Sequence, residues 1–168
     1  MAYDQSSGLA IAAEAAEDAD QVQALVDRVF GPGRYAKAAE RLREGNHVLR
    51  ELSFVAREGD RMVGTVRLWP VRIGSAEALL LGPIAVDPQA RRRGLGVALS
   101  AKACEAAAAA GHDRVVLVGD LAFFERIGFQ ALEPGRIRMP GPADPRRVLV
   151  RALRPGAWDG VQGEAALP

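Results

Sequence analysis

In GPIAVDPQARRRGLG, residues 82–96, an apolar run ends in an Asp-Pro turn, three arginines follow, and two glycines open an alanine-rich segment. The first turn of a helix leaves backbone N–H groups without partners, and the helix dipole makes that end partly positive. Gly94 and Gly96 lack a Cβ, so a bulky anion can approach the backbone closely. The arginines before them can pair with its charge. The stretch therefore predicts a site for a diphosphate.

Two common nucleotide motifs do not match this stretch. A P-loop needs a lysine directly after its last glycine, and the sequence has no lysine between Lys37 and Lys102. A dinucleotide fingerprint needs a third glycine or alanine, and Leu99 occupies that position after Gly94-Leu95-Gly96. Neither a P-loop nor a dinucleotide-binding fold is predicted.

The pattern Arg91-x-x-Gly94-x-Gly96 resembles the acetyl-CoA loop of the GCN5-related N-acetyltransferase (GNAT) family, which reads Gln or Arg, two residues, Gly, one residue, then Gly or Ala. The resemblance spans about residues 9–154 and is strongest over 79–129. The surroundings of the motif resemble the family as well: an expected strand over Leu79–Val86, a helix over Gly94–Ala110, a strand over Val115–Val118 and the segment FFERIGF at 123–129. Within the family the chain is most similar to the YhbS-type branch, with which it shares LLLGPIAVDP, LVGD, GF and the late stretch PGAWDGVQG at 155–163.

The resemblance implies an α+β fold, the GNAT fold, in which a central mixed, mostly antiparallel and splayed β-sheet is flanked by about four helices. It implies a domain over residues 1–154, followed by an irregular tail, 155–168. The implied activity is direct transfer of an acetyl group from acetyl-CoA, as cosubstrate, to an amine of a small molecule or peptide. No metal is implied.

The resemblance also assigns the cosubstrate site. Pro83 cannot donate to a sheet ladder, so it favours a bulge, where the family's strand bends away and the pantetheine arm enters. The implied cofactor-binding residues are Ile84, Ala85 and Val86 through their backbone, the loop Arg91, Arg92, Arg93, Gly94, Leu95, Gly96 and Val97, and Phe124 beside the sulfur. Three like charges at a helix start oppose its dipole unless an anion binds there. Arg92 or Arg93 can instead face solvent or the ribose phosphate of CoA.

The catalytic groups depart from the family's pattern. Phe124 stands where members commonly carry a tyrosine that faces the sulfur, and phenylalanine cannot donate a proton. Water or Tyr35 would then supply the proton, or the chain is a non-catalytic acyl-CoA-binding or sensor module. Asp120 is the candidate catalytic residue, as base or amine anchor, and its alternative role is the N-cap of the next helix. Glu51, Glu77 and His47 are weaker candidates.

Composition favours a single domain without an affinity for nucleic acid or membranes. The chain has 168 residues, 49% of them hydrophobic, with 22 Lys and Arg against 21 Asp and Glu. Cys104 is the one cysteine, so no internal disulfide forms, and its place in the alanine-rich helix predicts a buried, inert thiol. The sequence shows no apolar run of membrane length and no secretory signal, which predicts a cytoplasmic protein. A homodimer is left open.

The pattern of apolar and turn residues predicts the order of the remaining elements. A strand is expected over Leu9–Ala13, a helix from Asp18 to the Gly31-Pro32-Gly33 stop, and a weaker helix over Tyr35–Arg43. Glu58-Gly59-Asp60 predicts a hairpin turn between two strands, and Val148–Leu153 predicts a late strand.

Overall fold

The computed structural model describes residues 8–90 and 94–168 of the chain. The α-helices are α1 (Ala19–Phe30), α2 (Leu95–Ala109) and α3 (Leu121–Phe124). The strands are β1 (Leu9–Ala13), β2 (Phe54–Glu58), β3 (Arg61–Ile73), β4 (Ala76–Val86), β5 (Arg114–Val118), β6 (Gln130–Ala131), β7 (Ile137–Arg138), β8 (Val148–Ala152) and β9 (Gly163–Ala166).

The strands form a mixed sheet in the order β1-β2-β3-β4-β5-β8-β6, and β9 adds to β3 and pairs with β7. Most neighbours are antiparallel, whereas β4 with β5 and β7 with β9 are parallel. Helices and 3₁₀ turns cover the sheet. The fold predicted from the sequence is confirmed.

The two faces of the sheet are covered by different helices. Helix α2 lies on one face, where Leu95 and Leu99 contact Gly64 of β3 so closely that an added Cβ there would stand 2.9 Å from each. Helix α1 covers part of the other face through Val22, Leu25 and Val26. The rest of that face is covered by the apolar side chains of Leu42, Trp158 and Val161. The sheet is therefore buried on both sides, which fixes the positions of the loops at its edges.

Two predicted elements differ in the structure. The segment expected to be a helix over Tyr35–Arg43 consists of two 3₁₀ turns, Pro32–Ala36 and Ala38–Leu42. A continuous helix would need a longer apolar stripe, and among these residues Leu42 is the one large apolar side chain that joins the core. Arg34 in the first turn and Glu40 in the second are buried.

The tail after Pro155 was expected to be irregular, and this is wrong for residues 163–166. Strand β9 pairs with β3 through Arg72↔Ala166 and Ile73↔Ala165. Arg114 donates a hydrogen bond to the Ala157 carbonyl at 2.5 Å, and Arg136 donates to the carbonyls of Trp158 and Val161. These contacts and the buried Trp158 hold the tail on the sheet, although its Ala-rich sequence carries no strand pattern.

Cys104 lies on α2 and is wholly buried in the core. Burial raises the pKa of its thiol from the ordinary 9.0 to about 11. A protonated, enclosed thiol is neither a nucleophile nor a metal ligand at neutral pH. The structural role predicted for Cys104 is confirmed.

Candidate active site

The site is a cavity in the gap between β4 and β5. Among the described residues these strands pair only at Leu79↔Val115 and Leu80↔Val116. Beyond these pairs the strands diverge, and β4 residues 81–84 and 86 face β5 residues 117–118 across a cavity of about 850 Å³. A sheet interrupted in this way offers an extended strand as one wall of a binding site.

A bulge in β4 marks the inner part of the cavity. Between the pairs Val66↔Ile84 and Leu68↔Leu81, the single residue Arg67 of β3 lies opposite Gly82 and Pro83. The indole Nε1–H of Trp69 donates to the Gly82 carbonyl at 2.7 Å. The bulge predicted from Pro83 is therefore present, and it lies within the cavity wall.

At the end of the β4 wall away from the bulge, the cavity reaches the start of α2. Gly94 caps this helix in the left-handed conformation, with φ of 67°, and both Gly94 and Gly96 line the cavity. A Cβ on Gly96 would point towards Phe123, Ile84 and Val86, at 3.5 to 3.7 Å. The glycines thus keep the space between the helix start and β4 open.

The turn that leaves β4 is held by Asp87. Its carboxylate accepts hydrogen bonds from the Gln89 N–H at 3.0 Å and from Arg61 at 2.5 Å. The Gln89 N–H, followed by Arg61 and Arg28, holds the pKa of this carboxyl below its ordinary value. Asp87 therefore stays ionised and fixes the turn at residues 87–90 that follows β4.

A buried charge cluster of Arg34, Glu40 and Arg43 lies beside the bulge, and its two arginines line the cavity. The Glu40 carboxylate accepts from Arg43 Nη1 at 3.1 Å and from Arg34 Nη1 at 3.5 Å. Arg34 also donates to Asp27 at 3.0 Å and to the Tyr35 hydroxyl at 2.6 Å. The side chains of Arg34, Glu40 and Arg43 are only 9%, 9% and 13% exposed.

The remaining wall comes from the loop before β8 and from the start of α3. Pro142, Ala143, Asp144 and Arg147 line the cavity on the loop side. The side chain of Arg146 lowers the pKa of the Asp144 carboxyl, with the Arg146 N–H adding to the shift. Asp144 therefore forms an ion pair with Arg146 in the cavity wall.

Asp120 performs the capping role and also lines the cavity. Its Oδ1 accepts from the Ala122 N–H at 3.1 Å, as the N-cap of α3. This capping bond occupies one carboxylate oxygen, and the residue is exposed on the cavity wall. The capping prediction is confirmed, and the catalytic role remains a prediction.

Two phenylalanines of α3, Phe123 and Phe124, form an apolar part of the cavity wall. Phe124 is 8% exposed and packs edge-to-face on Phe123 and Phe129, with ring centroids 4.8 and 5.8 Å apart. Phe123 and Phe124 also line the cavity. A core role and a lining role therefore coincide at Phe124.

The sequence-predicted residues divide into three groups. Ile84, Val86, Gly94, Gly96, Phe124 and Asp120 line the cavity together. Ala85 and Leu95 turn their side chains into the core, and Val97, like them, is not among the lining residues that the structure describes. Arg91, Arg92 and Arg93 lie outside the described residues, so their predicted roles remain predictions.

Sequence reasoning missed the cluster of Arg34, Glu40 and Arg43. One signal was present: charged side chains recur at every third position, at 34, 37, 40 and 43. In a 3₁₀ turn, side chains three residues apart lie above one another on the same side of the turn. Charges at this spacing are therefore typical of a 3₁₀ turn with one charged side. Tyr35, Glu51, Glu77 and His47 are not among the described residues that line the cavity.

No helix in the described ranges, 8–90 and 94–168, has the length and apolar character needed to cross a membrane. In the same residues, no three or more His, Cys, Asp or Glu side chains are grouped as metal ligands.

Comparison with known proteins gives consistent matches. The family model described as an acetyltransferase (GNAT) domain matches residues 50–131. An uncharacterized N-acetyltransferase, YhbS of Escherichia coli K12, is 30% identical over 148 residues, which are 87% of this chain and 88% of that protein. The solved structure of E. coli YhbS in complex with CoA matches with a TM-score of 0.81 and 27% identity, over 95% of this chain and 89% of that one. A GNAT-family acetyltransferase of Brucella melitensis in complex with acetyl-CoA matches with a TM-score of 0.71 and 27% identity, over 96% and 97%.

The fold, the splayed strands and the sequence identity lead to one conclusion. The chain belongs to the GCN5-related N-acetyltransferase family.

Proposed function

We propose that this chain transfers an acetyl group from acetyl-CoA to an amine, with both reactants in the cavity between β4 and β5. The observation that carries the proposal is the continuity of one cavity from the Gly94–Gly96 helix start to the Gly82–Pro83 bulge. From Gly82 to Val86, β4 covers about 13 Å at the usual rise of a strand. The two ends are thus separated enough to hold a diphosphate and an acyl group apart.

The residues present fit acetyl-CoA. The glycine cradle at the start of α2 suits a diphosphate, and Arg91 to Arg93 remain the proposed partners of its charge. The backbone of Ile84, Ala85 and Val86 is the proposed partner of the pantetheine arm. Phe124 and Leu117 provide an apolar part of the cavity wall for the acyl end.

When bound, acetyl-CoA supplies an acetyl thioester, whose C–S bond breaks as a C–N bond to the acceptor forms. We assign Asp120 the proposed task of holding the proton that leaves the acceptor amine. Its carboxylate is on the cavity wall, and its capping bond occupies one oxygen only. Phe124 holds no proton, so the leaving sulfur receives its proton from water in this proposal.

Replacing Asp120 with asparagine separates its two roles. Asparagine caps helices as well as aspartate does, so the free energy of unfolding is expected to stay within about 0.5 kcal/mol of wild type. Loss of the basic oxygen is expected to lower kcat/KM by about a hundredfold. The measurements are chemical denaturation and CoA release with an accepted amine. Unchanged kcat/KM in Asp120→Asn would remove Asp120 from the mechanism.

Phe124→Tyr tests both the missing acid and the activity itself. A panel of amines is assayed for CoA release with wild type and variant. A hydroxyl placed beside the sulfur is expected to raise kcat by about tenfold or more, since general acids contribute at least this much. Equal kcat in the two proteins would show that this position does not face the sulfur. Acetyl-CoA binding without turnover of any amine in either protein would favour the acyl-CoA-binding or sensor module over the enzyme.

The acceptor, as a small molecule or peptide amine, and the cytoplasmic location belong to the proposal as well. A matched solved structure whose name states an amine acceptor supports the first: the ribosomal-protein-S18-alanine N-acetyltransferase of Escherichia coli. The near-neutral charge of the chain, +1, supports an assignment without nucleic acid.

A further inference from the structure

We propose that the acceptor carries a carboxylate close to its amine, and that Arg43 binds this carboxylate beside the Gly82–Pro83 bulge. The inference rests on the proposed function, because it names the substrate class of the same cavity. It makes Arg43 a specificity-determining residue.

The first step is the incomplete bonding of the Arg43 guanidinium. Within the described part of the chain, Glu40 is its one hydrogen-bond partner, through Nη1. Its Nε is buried and has no partner. A Cβ built on Gly82 would stand 2.8 Å from Nη2, so this nitrogen lies directly against the bulge. Arg43 therefore presents unused donors at the cavity wall.

The second step is the charge of the cluster. Arg34 and Arg43 share the Glu40 carboxylate, and the second carboxylate that pairs with Arg34, that of Asp27, is 51% exposed. The three buried side chains by themselves therefore carry a net charge of +1. Burial lowers the pKa of the Arg43 guanidinium, while Glu40 opposes the shift. Burying a guanidinium whose carboxylate partner is shared with a second arginine costs free energy of desolvation. An anion bound to Arg43 would offset that cost.

The third step is the bonding of the neighbouring cation. Arg34 is engaged by Asp27, Tyr35 and Glu40 together. Arg34 thus acts as a positioning residue that fixes Glu40, and Glu40 in turn fixes Arg43. The part of the Arg43 guanidinium that Glu40 does not engage matches a compact monoanion, and its planar fork fits a carboxylate.

The fourth step is location. Arg43 lies at the bulge, about 13 Å along β4 from Val86, which faces Gly96 at the helix start. The diphosphate of the cosubstrate belongs to that other end, so Arg43 is free for another anion. The acceptor amine must enter beside the bulge, where Arg43 meets its carboxylate.

The experiment compares matched acceptors and matched variants. Wild type, Arg43→Met, Arg43→Lys and Arg41→Met are assayed for CoA release with free amino acids, their carboxamides and aminomethylphosphonate, with rates expressed per neutral amine. Arg41 is the control, because it is 41% exposed, pairs with Glu44 and lies in the 3₁₀ turn Ala38–Leu42, directly before Arg43. The same acids are titrated calorimetrically into each protein saturated with CoA, which gives a readout independent of turnover. Acetyl-CoA binding is measured for every variant.

The expected result is that wild type prefers free acids over their amides by about tenfold to a hundredfold in kcat/KM, the value of a charged hydrogen bond. Arg43→Met loses this preference and acid binding, Arg43→Lys keeps part of it, and Arg41→Met keeps all of it, with acetyl-CoA binding unchanged throughout. Equal use of acids and amides, a preference for the phosphonate, or no saturable acid binding in wild type would overturn the inference alone. Absence of acetyl-CoA binding in wild type would overturn the proposed function as well.

Discussion

Glu14→Ala is expected to destabilise the protein by about 3–5 kcal/mol, the usual cost of removing one partner of a buried ion pair. The Glu14 side chain is fully buried, and its carboxylate accepts two hydrogen bonds from Arg67, at 3.0 and 2.6 Å. The variant leaves the Arg67 guanidinium, 12% exposed, without this partner. Because Arg67 is the β3 residue opposite the bulge, the loss also weakens the support of the cavity wall.

Urea denaturation of three variants checks this expectation. The double variant Glu14→Ala with Arg67→Ala is expected to recover part of the loss, since no unpaired charge remains buried. The control is Glu44→Ala, which breaks the exposed pair with Arg41 and is expected to cost less than about 1 kcal/mol. A cost for Glu14→Ala no larger than that of Glu44→Ala would contradict the buried pair.

Gly96→Trp is expected to abolish acetyl-CoA binding without unfolding the protein. A Cβ at this position has ordinary contacts, none closer than 3.5 Å, so the backbone at the helix start accepts a Cβ without a clash. An indole there would fill the space between α2 and β4 that the diphosphate needs. Acetyl-CoA at a hundredfold excess over its Kd stabilises a binding protein by about 2.7 kcal/mol. We expect this gain in wild type and less than about 0.5 kcal/mol in the variant.

Thermal unfolding with and without acetyl-CoA measures both values. Ala108→Trp is the matched control, because Ala108 is an exposed residue of the same helix and does not line the cavity. It is expected to keep the full stabilisation. Equal stabilisation of Gly96→Trp and Ala108→Trp would show that the start of α2 does not hold the cosubstrate.

Local patterns were sufficient to predict most of the fold. Strand β1 has the predicted bounds, Leu9–Ala13, and the hairpin turn at Gly59 joins β2 to β3 as expected. Gly59 has φ of 60°, a conformation that glycine adopts without strain, which is why its position was a dependable turn signal. The bulge at Pro83 was predictable because proline lacks the N–H that a regular ladder requires.

The remaining features depend on contacts between distant parts of the chain. Strand β9 has an Ala-rich sequence with little strand propensity, and it forms because Arg114, Arg136 and Trp158 hold the tail against β3. The role of Arg43 depends on its approach to Gly82, which local sequence does not encode. Charge at every third position was the available signal for that side of the cavity, and the expected α-helix obscured it.

The central claim is that the gap between β4 and β5 holds acetyl-CoA, and calorimetric titration of ligand-free protein with acetyl-CoA, CoA and ATP tests it most directly. The account predicts saturable binding of acetyl-CoA and CoA with one site per chain, and at least about tenfold weaker binding of ATP, which lacks the pantetheine arm. No binding of acetyl-CoA, or equal binding of ATP, would contradict it.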